Sequence, residues 1–307
     1  MYKKFFGLRE NPFNINPDPR YLYPTRDSEE ALACLTYGIQ KRTGYILLTG
    51  EVGTGKTMLL RKVLDWLHRE RVTTAFIFNS RLNVTQFLDF MMADFGITCE
   101  SRLKSQVLLR LNQYLLERYR AGEPAVLIVD EAQNLSREVL EEIRLLTNLE
   151  TNTQKLLQIV LSGQPELEQT LNQPQLRQLR QRITLRCKLH PLTLDEAVGY
   201  INERLRIAGA DSKPIFTPEA ILAVHRYGRG VPRLINVLCE HALVNAYVEQ
   251  QSPVAAQTVE KVAREFELDT VDPSVPPPQP VEGGEDFLAT EAFRTLTALA
   301  QRLKRND

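Results

Sequence analysis

The sequence predicts an α/β fold, in which a parallel β-sheet is covered by helices on both faces and an all-helical domain follows. Strand-like apolar runs alternate with helical periods up to about residue 190, and both faces of these runs are apolar, as in a buried parallel sheet. After Pro191-Leu192-Thr193 the chain has helical spacing and no further strand-like run. A glycine-rich octapeptide between the first strand and a helix completes this three-layer pattern.

The elements of the first domain follow from composition and spacing. The first 27 residues, rich in Pro, Asn and aromatic residues, predict an irregular arm, and Asp27-Ser28-Glu29-Glu30 predicts a capping box that starts a helix. Apolar or β-rich runs predict five strands, at residues 45–49, 73–78, 125–129, 156–161 and 183–189. Helical spacing predicts helices at residues 58–66 and at about 84–95, 104–120, 137–150 and 175–182.

The second domain begins at a strong helix signal. Thr193 to Glu196 predicts a capping box for a helix over 194–208, and Thr217-Pro218 predicts another helix with Pro at its first position. Two more helices are expected at about 232–249 and 254–267.

The tail has a different composition. Its prolines and glycines predict an extended linker, and an amphipathic helix follows. The predicted organisation is a nucleotide-binding core with its N-terminal arm, a helical lid, a linker and a terminal helix, at residues 1–190, 191–268, 269–285 and 286–307.

Composition limits the functional classes. The 307 residues are 43% hydrophobic and 25% charged, which is ordinary for a soluble protein of about two domains. Lys+Arg and Asp+Glu both number 38, which argues against charge-driven nucleic-acid binding but permits a local basic patch. The four cysteines form no C-x-x-C pair and the four histidines lack metal-site spacing. The sequence contains no signal peptide and no apolar run of the ~20 residues that cross a bilayer, so a cytoplasmic protein is expected.

Residues 50–57 form a complete G-x-x-x-x-G-K-[ST] motif between a strand and a helix. Its glycines let backbone N–H groups close around phosphate oxygens, and the helix N-terminus adds a positive dipole. Lys56 is expected to reach the β- and γ-phosphates of a nucleoside triphosphate, and Thr57 to place its hydroxyl on Mg²⁺. The predicted nucleotide-binding residues are Gly50, Glu51, Val52, Gly53, Thr54, Gly55, Lys56, Thr57, Met58 and Arg233.

Asp130-Glu131 closes a buried apolar strand, a position suited to metal and water chemistry. Asp130 is expected to hold Mg²⁺ and Glu131 to activate the attacking water as general base. The alternative is that the two acids only cap the following helix. Asn79, which ends another predicted strand, could hold Glu131 away from the water, or could be a simple strand-end residue.

A polar side chain after the next strand could bridge the γ-phosphate and the attacking water. Ser162 and Gln164 are the candidates, and Gln164 is preferred because its amide both donates and accepts hydrogen bonds. The alternative is a turn, since Gly163 and Pro165 flank Gln164.

Several arginines are candidates for phosphate chemistry. The run Arg177, Arg180, Arg182 and Arg186 is either a solvated basic face or the source of an arginine that acts on a neighbouring subunit's nucleotide. Arg182 is the first choice and Arg180 the second. Arg233 starts a predicted helix, where the dipole disfavours a cation, and a functional role reaching the γ-phosphate is therefore favoured.

Together these motifs resemble the AAA+ ATPases, and in particular the secretion-pathway ATPases of the ExeA (GspA) type, which are related to IstB- and TniB-like transposition ATPases. The resemblance covers about residues 1–268. It is carried by Asn11-Pro12-Phe13, Gly50 to Thr57, Asp130-Glu131-Ala132-Gln133-Asn134-Leu135, Ser162-Gly163-Gln164-Pro165-Glu166-Leu167, Arg182 and Gly230 to Asn236.

The resemblance implies a five-stranded AAA+ core with a helical lid, and ATP with Mg²⁺ between subunits of a ring, for which a hexamer is expected. Arg182 would act in trans and Arg233 as a second sensor, and the adenine would pack near Phe13 and Tyr37-Gly38-Ile39. Members of the ExeA type often continue into a membrane span and a peptidoglycan-binding domain, whose signals this sequence lacks.

The predicted function is a Mg²⁺-dependent ATPase that couples ATP turnover to assembly or remodelling of a secretion, pilus or exopolysaccharide machine. The terminal helix 286–307 is expected to dock on a protein partner or to self-associate. The alternative is a DNA-binding ATP switch that helps a transposase. A kinase or GTPase is disfavoured by the acidic pair and the helical lid.

Overall fold

The computed structural model describes residues 2–14, 16, 18–78, 81–101, 103–151, 154–211 and 213–268. They divide into two compact units. The sheet unit contains residues 26–51 and 59–189, and the helical unit contains residues 2–25, 52–58 and 190–268, in each case as far as they are described. Three predicted features lie outside the described residues: Asn79, the linker 269–285 and the terminal helix 286–307.

A five-stranded parallel sheet organises the sheet unit, with the strand order β2-β3-β4-β1-β5. The predicted fold class is confirmed, and each predicted strand is present. The strands are β1 Tyr45–Gly50, β2 Thr73–Ile77, β3 Ala125–Val129, β4 Leu157–Gly163 and β5 Ile183–Leu189.

The register of the central strands aligns their carboxyl ends. Thr49 of β1 lies opposite Gly163 of β4, and Val129 of β3 lies opposite Leu161 of β4. Because these strands are parallel, the residues that follow them emerge at one edge of the sheet. The same edge is where β1 ends and the glycine-rich loop begins.

Helices cover both faces of the sheet. On one face, Tyr45 and Leu47 of β1 belong to a core that includes residues of α4, α5 and α6. On the other face, Gly38 of α2 packs so closely that a Cβ there would lie 2.6 Å from Ile46 Cδ1 and 2.6 Å from Leu185 Cδ1. The helices of this part are α2 Arg26–Gln40, α3 Lys56–Arg69, α4 Val84–Asp94, α5 Lys104–Arg120, α6 Arg137–Leu146, α7 Pro165–Leu171 and α8 Arg177–Arg182.

Several helix boundaries differ from the prediction, and helix α7 Pro165–Leu171 was not predicted. Helix α2 begins at Arg26, so the capping box predicted at Asp27 is wrong. Asp27 lies instead in the first turn, where the helix dipole stabilises a negative charge. Helix α6 ends at Leu146 rather than near residue 150; Thr147 is its C-cap residue, and the Thr147 hydroxyl donates to the Arg144 carbonyl at 2.9 Å.

The described part of the helical unit has helices and no strand, apart from an isolated bridge between Phe216 and Val254. The predicted capping box is present: Thr193 Oγ1 accepts from the Glu196 N–H at 3.3 Å, and Glu196 Oε2 accepts from the Thr193 N–H at 2.9 Å. The helices are α1 Tyr2–Phe5, α9 Leu194–Ile207, α10 Pro218–Gly228, α11 Pro232–Val248 and α12 Ala256–Glu265.

The N-terminal arm packs inside the helical unit, although the predicted division assigned it to the domain of residues 1–190. Phe13 is 1% exposed and meets Phe216 edge-on, with ring centroids 6.1 Å apart. The carboxylate of Glu240 in α11 accepts from Tyr2 Oη at 2.9 Å and from Asn11 Nδ2 at 3.0 Å. Segments more than two hundred residues apart along the chain therefore share one hydrophobic core.

Across the residues that the structure describes, every helix is too short or too polar to cross a membrane.

Two glycines with the same backbone conformation offer a stability test. Gly230 (φ +69°) and Gly96 (φ +70°) are both left-handed, but a Cβ on Gly230 would lie 2.2 Å from the Leu192 carbonyl oxygen. A Cβ on Gly96 would meet no atom within 4 Å among the described residues beyond its chain neighbours. We expect Gly96→Ala to cost about 1 kcal/mol of unfolding free energy from backbone strain alone. Gly230→Ala should cost about 3 kcal/mol or more, because the backbone must also move. Equal losses in urea denaturation would contradict the close approach.

Candidate functional site

The acidic pair follows β3 at the carboxyl edge of the sheet. Asp130 is 4% exposed, and its backbone N–H donates to the Ile77 carbonyl at 2.9 Å. Ser162, fully buried near the end of β4, donates from Oγ to Asp130 Oδ1 at 2.7 Å. The neighbouring strand therefore orients the carboxylate, which is the oxygen-rich ligand type that Mg²⁺ prefers.

Glu131 has a left-handed backbone, with φ 53° and ψ 37°. This conformation is uncommon outside glycine and is often found where function requires it. The Glu131 N–H donates to Asp130 Oδ1 at 3.0 Å, and the chain then enters a 3₁₀ turn at Ala132–Asn134. Neither acid caps the following helix α6, because Ser136 fills that position and accepts from the Val139 N–H.

Two glutamine amides hold the Glu131 carboxylate. Gln133 Nε2 and Gln164 Nε2 both donate to Glu131 Oε2, at 2.5 and 3.2 Å. Gln133 Oε1 in turn accepts from the Gln164 N–H at 3.1 Å. Gly163 makes room for this contact, since a Cβ there would lie 2.8 Å from Gln133 Oε1.

Sequence reasoning missed Gln133 as an individual site residue. Its one available signal was its place two residues after Glu131, and only the 3₁₀ turn brings its amide back to the carboxylate. The two candidates after β4 point to different acids: Ser162 bonds to Asp130, and Gln164 bonds to Glu131.

The glycine-rich loop occupies residues between the end of β1 at Gly50 and the start of α3 at Lys56. Gly53 (φ +83°) and Gly55 (φ +101°) adopt left-handed conformations that few other residues tolerate. Apart from its two chain neighbours, no described residue has an atom within 4 Å of the place where a Cβ on Gly55 would stand. Backbone of this kind before a helix N-terminus forms an anion-binding concavity, which fits phosphate.

The start of α11 lies against the loop within the helical unit. The Arg233 N–H, one of the helix's first amides, donates to the Gly53 carbonyl at 3.3 Å. A Cβ on Gly53 would lie 2.7 Å from Arg233 Cβ and 3.1 Å from Val231 Cγ1. The structure therefore brings the backbone of Arg233 against the loop, and this close approach explains why position 53 is glycine.

The remaining predicted loop residues differ in exposure. Lys56 is 5% exposed, whereas Val52 is 51% exposed. Thr54, Thr57 and Met58 are half-buried, and Glu51 is exposed.

The two candidate arginines of the basic run make contacts within their own chain. Arg182 Nη1 lies 2.9 Å from the Arg144 carbonyl and 2.9 Å from Asn148 Oδ1, at the C-terminal end of α6. Arg180 Nη1 donates to Asn172 Oδ1 at 3.0 Å. The helix dipole stabilises a cation at a helix C-terminus, so Arg182 has a structural role in addition to any role in trans.

Metal binding by side chains alone has no candidate in the described part of the chain, where no group of three His, Cys, Asp or Glu residues could hold an ion.

Comparisons with known proteins show similarity to one family and to several solved structures. Residues 39–171 match the family described as AAA domain. The chain is 48% identical over 248 residues to General secretion pathway protein A of Aeromonas hydrophila, which covers 80% of this chain and 45% of that protein. The chain thus spans a little under half the length of this curated relative.

Solved structures share the fold. The ORC2 protein of Aeropyrum pernix in ADPNP–ADP complexes has a TM-score of 0.63 and 19% identity, and covers 86% of this chain and 73% of its own. Cdc6p of Pyrobaculum aerophilum has a TM-score of 0.63 and 19% identity, with 83% and 70% covered.

Ser162 offers a test of the acidic pair's environment. We expect Ser162→Ala to lower the free energy of unfolding by about 1.5–3 kcal/mol, because a buried carboxylate oxygen loses a charged hydrogen bond. Thr36→Val is the matched control, since the buried Thr36 hydroxyl donates to two carbonyls of its own helix, at 2.9 and 3.0 Å. Chemical denaturation of both variants compares them, and an equal loss would show that the Asp130 contact contributes nothing special.

Proposed function

The chain is an AAA+ ATPase of the general secretion pathway protein A type, and from this premise we propose that it couples ATP binding and hydrolysis to the assembly or remodelling of a secretion, pilus or exopolysaccharide machine. The observation that carries the proposal is the oriented acidic pair at the sheet edge. Asp130 is fixed by Ser162, and Glu131 by Gln133 and Gln164, at the edge from which the glycine-rich loop leaves β1.

The loop residues suit a triphosphate. The left-handed glycines 53 and 55 allow main-chain N–H groups to turn toward an anion, and Lys56 supplies a positive charge at the first position of α3. Thr57 and Asp130 would hold Mg²⁺. When bound, the ion would neutralise charge on the phosphate oxygens.

Glu131 is proposed as the general base that takes a proton from the attacking water. A base must be oriented as well as basic, and the glutamine amides restrict the rotation of its carboxylate. Gln164 reaches the same carboxylate oxygen as Gln133, so a phosphate contact at the Gln164 amide would alter how Glu131 is held. This gives the proposed sensor role of Gln164 a direct route to the base.

Arg233 is proposed to sense the γ-phosphate from the start of α11. Its backbone already contacts Gly53, and its side chain is exposed. A γ-phosphate contact would then fasten α11 to the loop more firmly in the ATP state than after hydrolysis, because ADP lacks that group.

A ring of identical subunits, for which a hexamer is proposed, would place Arg182 at a neighbour's nucleotide. The guanidinium is held at the end of α6 by the contacts described above, so its position is defined before any neighbour docks. A protein partner would be the machine on which the ring acts.

DNA binding is the competing function, and the basic run at Arg177–Arg186 is the feature that could serve it. Counterion release makes DNA binding fall steeply with salt. Stimulation of hydrolysis by duplex DNA, lost between ~50 and ~200 mM salt, would favour the DNA switch over the assembly ATPase.

We expect Glu131→Gln to bind ATP with near-normal affinity and to lower turnover by about 10²–10⁴-fold, because the amide cannot accept the proton of water. Lys56→Ala should lose nucleotide binding. The control is Glu166→Gln, an exposed acid in the first turn of α7, which should leave both quantities unchanged. Calorimetric titration measures binding and phosphate release measures turnover. Normal turnover of Glu131→Gln would remove the general-base assignment.

Action of Arg182 in trans can be tested by mixing variants. Arg182→Ala should be inactive alone and partly active when mixed with Lys56→Ala, whose subunits provide an intact arginine. The matched control is a mixture with the double variant Lys56→Ala/Arg182→Ala, which provides none and should give no recovery. Equal activity in the two mixtures would refute action in trans, and a melting curve of Arg182→Ala separates this result from loss of the α6 contact.

A further inference from the structure

Arg204 of α9 is a buried arginine that is 2% exposed. Its guanidinium reaches the N-terminal arm, where Nε donates to the Pro12 carbonyl at 2.6 Å and Nη2 donates to the Asn14 carbonyl at 3.2 Å. The cation also lies over the ring of Tyr21, 4.5 Å from its centroid. The Arg204 side chain thus contacts the arm at Pro12, Asn14 and Tyr21.

The partners of Arg204 are unusual for a buried charge. Among the described residues, carbonyl and phenol oxygens accept its hydrogen bonds and no carboxylate does so. Burying a cation without a hydrogen-bonded anion costs several kcal/mol, so an apolar side chain would serve packing better. A residue kept at such a cost is a candidate for a role in geometry.

A second set of contacts connects Arg204 to α11. Arg204 Nη1 donates to Tyr200 Oη at 2.9 Å, and Tyr200 Oη donates to Asn236 Oδ1 at 2.9 Å. Tyr200 and Asn236 are 6% and 7% exposed. Burial raises the pKa of Tyr200, so the phenol keeps the proton that it donates to Asn236.

Asn236 lies three residues after Arg233, which places both on neighbouring positions of one helix face. Arg233 in turn donates its N–H to Gly53 of the phosphate loop. The hydrogen bonds therefore run from the arm through Arg204 and Tyr200 to Asn236 of α11. The first turn of the same helix meets the loop through the Arg233 N–H, and all of these residues lie within the helical unit.

We propose that Arg204 is a positioning residue of the nucleotide site: through Tyr200 and Asn236 it couples the seating of arm residues 12–14 to the position of Arg233 on the phosphate loop. This inference rests on the proposed binding of ATP and on the proposed role of Arg233. It assigns to the arm a control of the affinity for the triphosphate that acts through hydrogen bonds, in addition to the arm's contribution to the core.

Tyr200→Phe is the sharpest test, because it keeps the ring and removes the one oxygen that joins Arg204 to Asn236. Arg204→Ala is less useful, since it leaves a cavity and two arm carbonyls without donors. The affinities for MgATP and MgADP are measured by calorimetry for four proteins: unmodified, Tyr200→Phe, Arg233→Ala and the double variant. Tyr227→Phe in α10, alone and with Arg233→Ala, is the matched control.

Tyr200→Phe should weaken MgATP binding by about fivefold or more and MgADP binding much less, since ADP lacks the group that Arg233 would meet. The double variant should bind MgATP about as weakly as Arg233→Ala alone, because both changes cut one connection. Tyr227→Phe should leave affinity unchanged and combine additively with Arg233→Ala.

Three results would overturn the inference. They are unchanged MgATP affinity in Tyr200→Phe, equal weakening of MgATP and MgADP with additive double variants, which is the signature of simple loosening, and absence of ATP binding by the unmodified protein. Only the last result also removes the proposed function, so the two failures are distinguishable.

Discussion

The alignment of three parallel strand ends is the constraint on which the rest of the sheet unit depends. Because β1, β4 and β3 are neighbours that run in the same direction, the glycine loop, Ser162 and the acidic pair all start from one edge. The hydrogen bond from Ser162 to Asp130 depends on this register. A shift of one residue in β4 would turn Ser162 to the opposite face of the sheet and leave the buried carboxylate without that donor.

In the helical unit the main constraint is the close approach of other residues to the backbone of two glycines. Gly53 lacks a side chain where Arg233 and Val231 lie against it, and Gly230 lacks one where Leu192 does. These contacts locate the first turn of α11 from two sides. Its exposed arginine therefore projects from a helix end whose position is closely defined, which suits a residue proposed to detect one phosphate group.

The sequence was sufficient for the strands, most helices and the motif residues because each depends on local pattern. Continuous apolar runs separated by helical segments predict a buried parallel sheet, and the octapeptide defines its loop by composition. Contacts between distant segments could not be predicted from the sequence. The glutamine pair on Glu131 requires a left-handed residue that the residue type does not signal, and the placement of the arm requires knowledge of what α9 and α11 leave uncovered.

Hydrogen bonds join the arm to helices from the other end of the described chain. Glu240 of α11 accepts from the arm, and the arm carbonyls of Pro12 and Asn14 accept from Arg204 of α9. Phe6, Leu8 and Phe13 are synthesised before the sheet unit, but the helices that bury them are made after it. During translation these apolar side chains must stay exposed while the sheet forms, because domains emerge from the ribosome in sequence order. Docking of the arm is consequently a late folding step of high contact order.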